Sequence, residues 1–260
     1  MKNTAFDWKQ APPMSWPRLL LAFLIPSAVA WAGFRIVLPA LVTRGWPVLV
    51  AWPAVASLML LGLVIFAVFR LGREARKLGI TLWARMGMKK LALTEWALYI
   101  GLTLIGLGCS FAAMKLVLPF MNALGLNVPA YMPFFLNPAI DPAVADMAVI
   151  SPGLPLAGKY CLLPLIAITL LLNILAEELY FRAWILPRLS RFGAWSWMLN
   201  GVLFAFYHTF QIWLLPTLLM ASLFFAFIFY KSRSIWPSLS AHLVANFLLS
   251  LVGILTLIAG

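Results

Sequence analysis

The sequence predicts an all-α fold, a polytopic transmembrane helical bundle of about seven to eight spans. Three observations carry this. The 260 residues are 64% hydrophobic and 10% charged, with a mean hydropathy of +1.00, whereas soluble domains are about 45–50% apolar and about 25% charged. The apolar residues fall in runs long enough to cross a hydrocarbon core. Those runs lack the period-two alternation of a membrane barrel. A water-soluble domain and a disordered chain, which is poor in large apolar groups, are both excluded.

Taken in order, the candidate spans are 17–41, 46–69, 96–120, 160–182, 195–211, 212–230 and 238–260, with a shorter run at 120–136 that could dip into the membrane. The first follows a basic segment and contains Ser27-Ala28-Val29-Ala30, which imitates a signal-peptide cleavage site. Apolar sequence continues past it, so the span is read as uncleaved. Pro26, Pro53 and Pro164 lie inside spans, where neighbouring helices can re-satisfy the backbone. Between the second and third spans lies the basic stretch 70–90, either an orientation signal or an amphipathic surface helix on anionic lipid. Asn122–Lys159 is read as a long external loop, with Pro129, Pro133, Pro138, Pro142, Pro152 and Pro155. Loops of that length are uncommon without a function such as a lid. Trp46, Trp96, Trp195 and Trp236 near span ends fit an interfacial belt. Cys109 and Cys161 show neither metal-ligand spacing nor a disulfide framework, and read as small core residues.

The net charge of +12 points to orientation rather than to nucleic acid. Lys2, Lys9 and Arg18 precede or open the first span; Arg70, Arg73, Arg76, Lys77, Arg85, Lys89 and Lys90 follow the second; Arg188, Arg191, Lys231 and Arg233 occupy later alternate loops. Opposite loops hold Arg44, with Arg35, Lys115 and Lys159 near span ends. The expectation is a multi-pass protein of the cell (inner) membrane with its N-terminus cytoplasmic and its C-terminus outside. One integrated membrane domain is expected, 1–159 supplying the N-terminal spans and 160–260 a core.

That core holds polar groups where a membrane makes them expensive. Glu177, Glu178 and Arg182 sit at the end of the fourth span, His208 in the fifth, and His242 and Asn246 in the seventh. No other His occurs in the chain. Glu178 and Arg182 are four apart, which makes an ion pair natural on a helix. Glu177 lies about 100° round, free to face a cavity, with Asn173 one turn before it. A partly desolvated carboxyl near a cation suits a general base. The alternative for this segment is a buried pair that only locks helix packing. His242 and Asn246 share a face. For His208 to meet Glu177, spans four and five must extend as a hairpin turning around 188–195, where Arg188, Ser190, Arg191 and Gly193 suit a turn.

Glu177-Glu178-x-x-x-Arg182, Phe204-x-x-x-His208 and His242-x-x-x-Asn246, with Ser234-Ile-Trp-Pro-Ser-Leu-Ser-Ala-His242 before the last, resemble the ordered motifs of the CPBP or Abi family of type II CaaX prenyl endopeptidases. The resemblance covers about residues 160–250. It implies an intramembrane endopeptidase in which Glu177 activates water, His208 helps hold it, His242 and Asn246 steady the oxyanion, and Glu178 and Arg182 brace the helix or a substrate end. It implies a membrane-associated protein or peptide substrate, the lipid bilayer as surroundings, and no nucleic-acid partner. No cofactor is expected; the alternative is zinc held by Glu177, His208 and His242, although the His-Glu-x-x-His pattern is absent. A non-catalytic immunity or scaffold protein of the same fold is one rival. A proton-coupled transporter is another, disfavoured by the lack of inverted repeats.

Overall fold

The computed structural model describes residues 6–141, 145–152, 154 and 159–259, without the side chains of 147, 148 and 249–259. Lys2, Pro142 and Pro155 lie outside the described residues. Among those described, the chain is all-helical with no strand.

Helix α1 (Trp16–Ala32) starts after extended Ser15 with Pro17 in its first turn, then runs through a wide turn, Gly33–Val37, into Leu38–Val42. Pro26 deprives the Ala22 carbonyl of its helical donor, and the Tyr180 hydroxyl donates to it at 2.8 Å. This bond ties α1 to the helix that carries the acids. Helix α2 (Val48–Leu78) ends at Gly79, whose φ of +66° closes a left-handed cap, with Arg76 and Lys77 in the last turn complementing the dipole. Residues 70–78 are thus the end of a spanning helix, not a separate surface helix. Helix α3 (Leu93–Met114) is capped by Glu95, whose carboxylate accepts from the Ala92 N–H at 2.8 Å.

The remaining long helices are α4 (Leu162–Glu177), α5 (Ser196–Tyr207), α6 (Leu215–Ser232) and α7 (Ile235–Ala259). Among the described residues five helical stretches are long and apolar enough to cross a membrane, against about seven to eight spans in the sequence reading. One of the five, 162–207, is a single 46-residue stretch that doubles back. Gly193 (φ 55°, ψ −129°) makes the turn, and the Phe181 and Phe204 rings then meet at 4.7 Å. This is the hairpin that the Glu177–His208 encounter requires. In the short run at 120–136, Val117–Leu124 forms a helix and Phe134–Leu136 a single turn.

Helix α6 packs on α3, α5 and α7, and α4 packs on α2 and α7. Small residues set the spacing. A Cβ at Gly201 of α5 would stand 3.0 Å from the Leu223 Cα of α6, and one at Gly106 of α3 would stand 2.8 Å from the Phe224 ring. The outer helix faces expose Leu20, Leu24, Leu58, Ile65, Leu104 and others, as lipid-facing surfaces do. Trp46, Trp195 and Trp236 are exposed at helix ends. Both cysteines are free and exposed, which corrects the core expectation. A lipid-facing surface is as apolar as a core, so apolar neighbours in sequence do not reveal burial.

Candidate active site

The helix that brings in the acids widens immediately after Glu177. Glu178–Ile185 form a π-type stretch, a rarity that often coincides with functional sites. Three of its carbonyls accept from side chains elsewhere: Phe181 from Asn200 Nδ2 at 2.9 Å, Ala183 from Arg85 at 2.8 Å, and Trp184 from Arg188.

The wide turn alters the pairing expected from helical spacing. Arg182 Nε stands 3.9 Å from Glu178 Oε1, beyond hydrogen-bond range, and that Nε is buried without a hydrogen-bond partner. The guanidinium instead donates to Asn200 Oδ1 at 2.7 Å, reaches the Ser222 carbonyl at 3.5 Å and lies over the Phe204 ring at 4.3 Å. Arg182 therefore joins α5 and α6 to the acid-bearing helix. Glu178, fully buried, accepts from Ser238 Oγ and pairs with His242 Nδ1 at 3.1 Å.

Glu177 is 3% exposed. Its Oε1 accepts from Asn173 Nδ2 at 2.9 Å and stands 3.7 Å from His208 Nε2, while Oε2 stands 3.5 Å from His242 Nε2. Each imidazole is held by its other nitrogen: His208 Nδ1 lies 3.1 Å from the Phe204 carbonyl and His242 Nδ1 faces Glu178. An acceptor beside Nδ1 places the proton there and turns Nε2 inward. The Phe225 ring stacks on His242 at 4.6 Å, and Phe204 and Tyr207 meet His208 edge-on. Asn246 Nδ2 donates to Asn173 Oδ1 at 2.5 Å, so α7 and α4 are linked through an amide chain that ends on Glu177.

These groups line a cavity of about 580 Å³ between α2, α3, α4, α6 and α7. It reaches from Leu162 to Glu177 along α4, about 22 Å at the helical rise. Phe134–Leu136 of the proline-rich loop line it too, anchored where Trp213 Nε1 donates to the Leu136 carbonyl at 2.7 Å. Glu177 is the one ionisable acid or Lys/Arg among the described lining residues. The sequence-predicted residues thus divide. Glu177, His208, His242 and Asn246 reach the cavity, whereas Glu178 and Arg182 do not line it. The latter pair contacts Asn200, Ser222, Ser238 and His242 instead. Two imidazole nitrogens and a carboxylate are a zinc-type donor set, yet among the described residues no three His, Cys, Asp or Glu side chains are grouped to hold a metal ion.

Residues 159–248 match the family model of the type II CAAX prenyl endopeptidase, Rce1-like. The similarity spans about a third of the chain. All three motifs lie inside the matched segment. No curated protein and no solved structure matches the chain. That similarity is to an intramembrane protease type of protein, and the long apolar helices fit a protein integral to the membrane.

Sequence reasoning missed several partners. Ser238 sits four residues before His242 and Asn200 eight before His208, so both lie on the same helical face as a motif residue and were findable by spacing. Gln211 and Arg85 carried no such signal. The first lies beyond a helix break, and the second is distant in sequence from the stretch it holds.

Proposed function

We propose that this protein is an endopeptidase that cuts a peptide bond of a membrane-associated protein or peptide, using water activated by Glu177. The observation that carries the reading is the convergence of two inward-facing Nε2 atoms on the Glu177 carboxylate, at 3.5 and 3.7 Å, within an apolar cavity. Those separations are too long for direct bonds but suit a shared water.

Glu177 takes a proton from the water while His208 Nε2 holds it, and the water oxygen bonds to the scissile carbonyl carbon. Negative charge moves onto the carbonyl oxygen, where the Asn246 amide and His242, carrying a proton on Nε2 as well as on Nδ1, donate to it. The carbon–nitrogen bond then breaks, and the proton held by Glu177 passes to the leaving nitrogen. Glu178 supports this from behind. Its carboxylate on His242 Nδ1 orients that ring and stabilises positive charge on it. Arg182 balances the second buried acid through the field rather than by contact. Neither cysteine lines the cavity, so thiol chemistry has no geometric support.

The family's printed name suggests a prenylated C-terminal peptide, and the mostly apolar cavity suits an attached lipid. The distribution of basic residues supports a cytoplasmic N-terminus, with the proline-rich loop outside.

The test is purified protein in detergent against quenched-fluorescent peptides, with and without a farnesylated cysteine near the C-terminus. Wild type is compared with Glu177→Gln and His208→Ala, with and without a chelator. Cleavage lost in both variants and indifferent to chelator is the expected result. Cleavage abolished by chelator and restored by zinc overturns the metal-free mechanism, and turnover retained by Glu177→Gln overturns the assignment of the base.

A further inference from the structure

His208 ends α5, and the chain leaves helical geometry beside it. His208 has φ −85° and ψ 32°, and Gln211 has φ −130° and ψ 46°. The Gln211 N–H donates to the His208 carbonyl at 2.9 Å. A four-residue turn of this type keeps its end Cα atoms within about 7 Å. Gln211 is therefore tied to the residue that faces Glu177, on a backbone that is not free to wander.

Its side chain is 7% exposed and lines the cavity. Several other polar side chains of the wall are occupied within the protein, although buried Trp52 Nε1 has no hydrogen-bond partner either. Thr103 donates to the Tyr99 carbonyl, Ser110 to the Gly106 carbonyl, Thr169 to the Leu165 carbonyl, and Asn173 to Glu177. The side-chain amide of Gln211 makes no hydrogen bond among the described residues. The amide opens onto a mostly apolar cavity, where a polar group without a partner is costly.

The chemistry of the amide identifies what would satisfy it. One acceptor oxygen and two N–H donors are the complement of a peptide group. A hydrocarbon chain has nothing to offer it. An extended peptide lying in the cavity presents unpaired main-chain N–H and C=O groups, and the turn from His208 keeps Gln211 on the cavity wall close in the chain to the residue that faces Glu177. We propose that Gln211 is a substrate-binding residue, its side-chain amide pairing with a backbone peptide group of the substrate next to the scissile bond. The proposal rests on the protease reading above and adds the means by which a peptide, not only its lipid, is held.

The test uses Gln211→Met, similar in length but without the amide, and whichever panel peptide wild type cleaves. Ester versions of that peptide, each with one backbone N–H replaced by oxygen, are assayed beside it. Gln211→Met is expected to raise KM about five- to ten-fold with kcat little changed, the pattern of lost uniform binding. One ester position should cost wild type that same factor and cost Gln211→Met nothing more. Should Gln211→Met fail to fold, Gln211→Glu takes its place: it is isosteric and loses the donors, so KM rises by loss of a carbonyl partner. An unchanged KM in a folded variant, or equal ester penalties in wild type and Gln211→Met, overturns the proposal.

Binding of the same peptides to Glu177→Gln and to Glu177→Gln/Gln211→Met, by titration calorimetry, separates the two readings. Gln211-dependent binding without wild-type turnover sinks the protease reading and keeps the site. Turnover with no Gln211 dependence in KM or binding sinks the site alone.

Discussion

The molecule has two clusters of acid and arginine, and they are built in opposite ways. In the first, Glu74 of α2 accepts from Arg85 Nε at 3.0 Å and Nη2 at 2.7 Å, from Trp184 Nε1 at 3.2 Å, and from Arg188. Both of its oxygens are occupied, and burial pushes the Arg85 guanidinium below its ordinary value against the opposing pull of Glu74. In the second, Glu177 has one short hydrogen bond, from Asn173, and two imidazole nitrogens held at longer range. The first cluster does not line the cavity; the second faces it. A carboxylate saturated with donors is fixed and unreactive, and one left short of donors in a dry wall can take a proton. The clusters are also connected. Arg85 holds the Ala183 carbonyl and Arg188 that of Trp184, in the same wide turn that aims Glu178 and Arg182.

The largest expected difference comes from breaking the second cluster. Glu177→Gln should lower kcat by about 10²–10⁴-fold, the range for a general acid or base, while circular dichroism and the thermal transition in detergent stay as in wild type. A parallel fall in helicity would make Glu177 a structural group like Glu74 and erase the contrast.

Breaking the first cluster should do the reverse. Arg85→Met removes the guanidinium that donates twice to Glu74, and removing one member of a buried pair costs about 3–5 kcal/mol. The thermal midpoint should fall, and activity per folded molecule should fall less than in Glu177→Gln. Unchanged stability would mean that Arg188 and Trp184 suffice for Glu74.

A smaller effect belongs to the residues that support the site. Ser238→Ala removes a hydrogen bond to buried Glu178, about 1.5–3 kcal/mol for a charged acceptor. Both stability and kcat should decline, kcat by about ten-fold, through loosened His242. Asn173→Leu tests the other side, since it strips Glu177 of its one short bond and should shift the pH profile of kcat; a profile superimposable on wild type would remove Asn173 from the site.

The smallest effect is purely steric. Gly201→Ala places a methyl about 3.0 Å from the Leu223 Cα, and overpacking of this kind costs about 1–3 kcal/mol. Stability in detergent should drop with KM and kcat unaltered. A change in kcat there would show that the spacing of α5 and α6 tunes His208.

Much of the site was legible because helical spacing reports which residues share a face. Glu177 with Asn173, and His242 with Asn246 on the cavity side, follow from helical period, whereas the pairing of His242 with Glu178 does not. The Glu178–Arg182 pair was legible in kind but not in degree. Four-residue spacing assumes 3.6 residues per turn, and the wide turn at Glu178–Ile185 breaks that assumption, which leaves 3.9 Å between the charges. The cysteines misled for another reason, since lipid and protein interior select the same residue types.

The sequence by itself determined that the chain is a helical membrane protein, where its long helices run, and which few polar residues have no ordinary place in hydrocarbon. It could do so because hydropathy and polar cost are local properties of a segment in a bilayer. Only the tertiary structure decided that Gly193 folds 162–207 into a hairpin, that Glu74 rather than Glu177 is saturated with arginine, and that Gln211 stands unpartnered on the cavity wall. Those are relations between segments far apart in sequence. They depend on crossing geometry and on the turn of each helix about its axis, which no single segment encodes.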